Sequence, residues 1–212
     1  MIAVDPASSW SKRDYTGVVV LDLETCTVVA DYLGHKEAHN MAAWLCEMGT
    51  KYNKASIYVE SNGVGEAVLS HLLSNGYRRV YHRTTSAPLV RGISSTRIPG
   101  WHSSMKTKAE AISILQQLIL DDSLKISSRR LIQQLTQYRG QWDKLKRDAK
   151  GGHFDLVAAM SIAAWAWRYE SGKTTPAEVD RRKLAKKNWD RLIRRIDGGG
   201  NKGKNNPWGR HL

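Results

Sequence analysis

Apolar residues in the first third of the chain fall in short β-branched runs broken by polar turns. Ile2-Ala3-Val4, Val18-Val19-Val20-Leu21 and Val28-Val29-Ala30-Asp31-Tyr32-Leu33 are such runs, and residues 22–27 separate the last two. This pattern predicts a three-stranded antiparallel meander. Over residues 38–52 the period becomes helical, with Met41, Ala42, Leu45, Met48 and Gly49 on one face, and a strand over 55–60 follows. A second helix is expected from about 65 to 74, stopped by Asn75-Gly76, and then a short strand over 79–82. The order β-β-β-α-β-α-β predicts an α/β fold in which three antiparallel strands are followed by parallel ones, a mixed sheet flanked by helices.

Residues 83–106 are rich in Ser, Thr, Gly and Pro and carry Arg91 and Arg97, so they read as a long loop of the kind that often serves function. A helix over 107–120 follows, with Ala111, Ile114, Leu115, Leu118 and Ile119 facing inward. A short strand over 124–126 precedes a helix capped by Ser127 or Ser128 and running to Leu135. Residues 136–152 carry Tyr138, Trp142 and five basic side chains, Arg139, Lys144, Lys146, Arg147 and Lys150, and are expected to project as a hairpin. The stretch 155–169 is apolar on most sides and predicts a buried helix. Residues 171–175 read as a linker, 177–196 as a highly charged helix introduced by Pro176, and 198–212 as disordered. The expected organisation is a domain over 1–170 and a basic C-terminal helix with a disordered tail over 171–212.

Composition narrows the function classes. No run approaches the roughly 20 apolar residues that cross a bilayer, and no signal peptide is evident, so a protein that is neither secreted nor membrane-bound is expected. Cys26 and Cys46 have no C-x-x-C spacing and no nearby histidine, which argues against a disulfide framework or a zinc site. The net charge of +13 and a pI near 9.9 point to a polyanionic partner such as nucleic acid. Basic charge alone also fits a merely solvated surface. Arg91, Arg97, Arg139, Lys144, Lys146 and Arg147 are the candidate phosphate contacts, which would position a duplex without reading its sequence. Tyr138 and Trp142 could stack on bases, or anchor packing.

The candidate chemistry lies in three acids. Asp5 closes the first run, Glu60 closes the run that ends at Val59, and Asp155 opens the last apolar helix. Hard divalent cations prefer carboxylate oxygens, and two of them close together activate water and stabilise the leaving oxygen in phosphodiester hydrolysis. If the first strand pairs beside the one ending at Glu60, Asp5 and Glu60 face one pocket and the helix starting at Asp155 can lean across the sheet. Each acid alone has a plainer explanation: strand ends attract turn acids, and the first turn of a helix favours a carboxylate. Asp14 could approach the same place or be a turn acid. His153 and Lys150 lie beside Asp155 and could touch a scissile phosphate. Glycines at 63 and 65 would let a DNA backbone or a helix start come close to Glu60.

Val4-Asp5-Pro6-Ala7, Asp14-Tyr15-Thr16-Gly17, Val59-Glu60-Ser61-Asn62-Gly63-Val64-Gly65 and His153-Phe154-Asp155-Leu156-Val157-Ala158-Ala159 stand in an order that resembles the RNase H-like superfamily. Within it, the likeness is to the nuclease domain of the large terminase subunit of tailed bacteriophages, over roughly residues 1–168. The resemblance implies a Mg²⁺- or Mn²⁺-dependent endonuclease that cuts double-stranded viral DNA with low sequence preference during genome packaging. Asp5, Glu60 and Asp155 would be its catalytic metal ligands, with Asp5 bridging two ions and the other two each completing one. It further implies a portal protein, a small terminase subunit and an ATPase domain as partners, in the host cytoplasm. The family commonly has two adjacent acids where this chain has Phe154-Asp155, and these 212 residues hold no G-x-x-x-x-G-K-[ST] phosphate loop, so a nuclease without ATP hydrolysis is expected. A Holliday-junction resolvase of the same superfamily and a non-catalytic DNA-binding or assembly module are the other readings.

Overall fold

Strict alternation along the central strands divides the apolar residues between two cores. A computed structural model describes residues 1–7, 14–85, 96–138 and 154–170. Strand β1 (Ile2–Asp5) runs antiparallel to β2 (Thr16–Asp22), which pairs antiparallel with β3 (Thr27–Gly34). On the other flank β1 pairs in parallel with β4 (Ile57–Val59), and a two-residue strand, β7 (Lys125–Ile126), pairs in parallel with β3. The order across the sheet is β4-β1-β2-β3-β7, a mixed sheet with the antiparallel and parallel pairs that the sequence pattern implies.

Even-numbered residues of the inner strands, Ile2, Val4, Val18 and Val20, point to one face, together with Ile57 and Val59 of β4. Helices α1 (Ala38–Lys51) and α2 (Val64–Ser74) cover that face and pack on each other. Ala3, Val19, Leu21 and Tyr58 point to the opposite face. There α5 (Asp155–Glu170) packs directly on β1 and β2, with α3 (Met105–Leu120) and α4 (Arg129–Gln137) against it. Leu156, Val157, Ala159, Met160 and Ile162 of α5 are at most 1% exposed, which is why this helix is apolar nearly all round. Trp167 Nε1 donates to the Leu23 carbonyl at 3.0 Å and ties the far end of α5 to the β2–β3 turn. All described residues belong to one compact unit. Among them, no helix is long and apolar enough to cross a membrane.

Residues 83–106, expected to be a loop, contain a pair of strands. β5 (His82–Thr85) and β6 (Thr96–Pro99) run antiparallel, with His82 opposite Pro99 and Thr84 opposite Arg97. The expected strand over 79–82 is reduced to a bridge between Val80 and Ile57, and β5 starts where it was expected to end. Beyond the hairpin, Trp101 bridges to Glu60. The outer edge of β4 is thus covered by two pieces of chain: Tyr81 N donates to the Ile57 carbonyl at 2.9 Å, and Trp101 N donates to the Val59 carbonyl at 2.8 Å. Gly100, at φ +88°, makes the turn between them, and a Cβ there would press on Leu69, Ser61 and the Val59 carbonyl.

The expected hairpin over 136–152 loses its first residues to α4, which runs through Gln137 and is capped by Ser128. Beyond Tyr138 that segment lies outside the described residues, as do the linker, helix and tail expected beyond 170. Helix α3 begins with a reciprocal cap in which Ser104 Oγ accepts from Thr107 N at 3.2 Å and Thr107 Oγ1 accepts from Ser104 N at 2.8 Å. Ser104→Ala is expected to destabilise the protein by about 1 kcal/mol, read as a lower midpoint in urea unfolding.

Candidate active site

Strand alternation decides where the acids point. Asp5 lies two residues beyond Ala3, and Glu60 two beyond Tyr58, so both side chains face α5 at the end of the row that forms the inner core. The parallel register pairs Val4 with Val59, and Glu60 N donates to the Val4 carbonyl at 3.0 Å. This locks the backbone of one acid beside that of the other. Opposite Asp5 on β2 stands Gly17, where a Cβ would run into the Asp155 carbonyl. The missing side chain lets the start of α5 settle on the sheet. Tyr15 N then donates to Asp155 Oδ2 at 3.3 Å. Leu156 N and Val157 N in the first turn of α5 are satisfied by Gln134 Oε1, at 3.0 and 3.4 Å.

The Asp5 and Glu60 carboxyls lie close enough together to act directly on each other. Burial and the negative charges of Glu60 and Asp155 raise the Asp5 carboxyl well above the usual carboxylate range, against the opposing pull of Lys108. Burial also pushes Glu60 upward. Its interactions with Asp5 and the Lys108 ammonium outweigh it, so Glu60 ends below its ordinary value. Asp155 is close enough to act electrostatically on Asp5.

A second set of groups arrives from the chain after the β5–β6 hairpin. Lys108, in the first turns of α3, places Nζ 3.6 Å from Glu60 Oε1. Asn62 donates from Nδ2 to the Ser103 carbonyl at 2.8 Å and accepts from Ser103 N at 3.4 Å, which fixes the entry to α3 beside Glu60. Arg83 of β5 donates to Ser61 Oγ at 2.8 Å. Pattern reading did not single out Lys108, Ser103 or Arg83. The available signal was local: the Ser104–Thr107 cap fixes the start of α3 and hence the direction of Lys108. Gly65 serves the second of its two expected roles: a Cβ there would overlap the Glu60 carbonyl, so glycine lets the start of α2 lie directly behind that acid.

The donor set is oxygen only, the kind a hard divalent cation prefers. Asp5 and Glu60 fit such an ion directly. Asp155 gives one oxygen to Tyr15 N, and among the described residues no three His, Cys, Asp or Glu side chains close on one point. Asp14 is exposed at the approach to β2, and Arg97 is exposed on β6. Tyr138 is buried against Phe154, with ring centroids 5.6 Å apart, so it packs the core and is not available for stacking on bases. Lys150, His153, Arg91, Arg139, Lys144, Lys146, Arg147 and Trp142 lie outside the described residues.

Residues 2–166 match the family described as the terminase RNaseH-like domain. Among solved structures, the chain is similar to the large terminase nuclease from thermophilic phage G20c with bound magnesium, at 20% identity and a TM-score of 0.54, covering 77% of this chain and 79% of that one. The same nuclease with bound cobalt aligns at 21% identity and a TM-score of 0.50, over 77% and 79% of the two chains. Without a metal in its description it aligns at 19% identity and a TM-score of 0.50, over 76% and 78%. No curated protein matches.

Gly65→Ala is expected to force α2 away from the Glu60 carbonyl, at a cost of about 1–3 kcal/mol. Thermal unfolding of the variant should show the lower stability.

Proposed function

Because the chain belongs to the terminase RNaseH-like domain family, we propose that it is a metal-dependent endonuclease that hydrolyses double-stranded DNA with low sequence preference. The observation that carries this reading is the Asp5–Glu60 carboxyl pair, set side by side on parallel strands and facing the first turn of α5, where Asp155 stands. A merely structural role accounts poorly for it, since burying two carboxyls against each other costs stability unless something compensates.

In this proposal Asp5, Glu60 and Asp155 would hold the divalent cations, Mg²⁺ or Mn²⁺. The chemistry such ions supply when bound is activation of a water and stabilisation of the leaving phosphodiester oxygen. Lys108 pairs with Glu60 and favours its charged form. Asp5 is held in place by the strand pairing. Asp155 is oriented by the Tyr15 N–H, and the start of α5 is seated by Gly17. Arg97, exposed on β6, is a candidate for contact with the phosphate backbone, which would position the duplex without reading its bases. The proposed setting is a packaging motor in the host cytoplasm, with viral concatemeric DNA as substrate and a portal protein, a small terminase subunit and an ATPase domain as partners. The magnesium and cobalt forms of the phage G20c nuclease support the use of divalent metal at this kind of site.

Plasmid cleavage in Mg²⁺, Mn²⁺ or EDTA tests the reading. EDTA should abolish cutting, and Asp5→Ala, Glu60→Ala and Asp155→Ala should each lower the rate by more than about a hundredfold. Equal rates in all four proteins would refute the site. A Holliday junction cut far faster than linear duplex would point to a resolvase instead, and DNA binding without cleavage under every metal condition to a non-catalytic module.

A further inference from the structure

Lys108 forms an ion pair with one of the three candidate acids, Glu60. Its Nζ lies 3.6 Å from Glu60 Oε1, with 32% of the lysine side chain and 12% of the glutamate side chain exposed. It reaches this place from the first turns of α3, whose start is doubly fixed by the Ser104–Thr107 cap and by Asn62, which grips Ser103 two residues after Glu60 in the same network. An exposed ion pair contributes little to stability. This pair is different in kind because the anion is nearly buried and sits beside two further carboxyls, so the ammonium offsets a local excess of negative charge.

We infer that Lys108 is a built-in counter-ion that competes with the divalent cation for Glu60. Without metal, its single charge holds Glu60 in place and limits repulsion among the three acids. When a cation binds, a monovalent and a divalent positive charge share one carboxylate, and their repulsion weakens the binding. Lys108 is therefore a positioning residue that stabilises the metal-free site and lowers its affinity for metal. This rests on the proposed metal-dependent function, and it assigns to one named side chain the control of how tightly that metal is held.

The experiment titrates Mn²⁺ into the whole 212-residue chain, followed by calorimetry or by the electron paramagnetic resonance signal of free Mn²⁺. Wild type, Lys108→Met, Lys108→Arg and Asp5→Asn are compared, with thermal unfolding recorded without and with saturating Mn²⁺. Lys108→Met is expected to bind Mn²⁺ about tenfold more tightly than wild type, since a repelling charge has been removed. It should also melt at a lower temperature than wild type without metal and lose that deficit when Mn²⁺ saturates. Lys108→Arg, which keeps the charge, should remain near wild type in both measurements. Unchanged or weaker affinity in Lys108→Met overturns the inference, as does a melting deficit that Mn²⁺ leaves intact, which marks an ordinary structural salt bridge. If wild type binds Mn²⁺ no better than Asp5→Asn, the metal site itself is refuted and the inference falls with it.

Discussion

Repulsion among carboxylates at the edge of a dry core is the constraint on which this structure turns. Burial and the nearby charges of Glu60 and Asp155 all oppose ionisation of Asp5 where the inner strands end. The fold answers by bringing one ammonium in on α3. Both the Asp5–Glu60 pair and this counter-ion depend on backbone held to close tolerance. The parallel pairing of β1 with β4 sets the first, and the capped start of α3, gripped by Asn62, sets the second.

The same tolerance explains why three glycines sit around the acids rather than elsewhere. At Gly17 a side chain would meet the first turn of α5; at Gly65 it would meet the carbonyl of Glu60; at Gly100 it would meet the strand that carries Glu60. Each removes a side chain so that one backbone can lie directly against another. Main-chain packing therefore fixes the strands and the helix that carry the carboxyl groups.

Much of this was legible in the sequence because it is periodic. Alternation over 2–5 and 18–21, the change to helical spacing after 38, and the apolar stretch from 155 predict the sheet, the helices and the strand-end placement of Asp5 and Glu60, and the structure bears these out. The β5–β6 pair was not legible, since His82-Arg83-Thr84-Thr85 and Thr96-Arg97-Ile98-Pro99 carry almost no apolar alternation and are held by cross-strand backbone bonds. Tyr138 was ambiguous for a similar reason: an aromatic between polar residues can face either way, and its burial against Phe154 depends on chain far along the sequence. Lys108 escaped notice because its partner lies 48 positions earlier. No local pattern records an ion pair of that span.

The divided edge beside β4 has a consequence for how such a chain can vary. Val80 and Trp101 flank the outer edge of β4, and the described ends of β5 and β6 meet beside them, so this span has a closed root. With both ends fixed, extra residues between β5 and β6 would add only a slowly rising loop entropy. The backbone hydrogen bonds beside Glu60 belong to the root, so changes beyond β5 and β6 would leave them as they are.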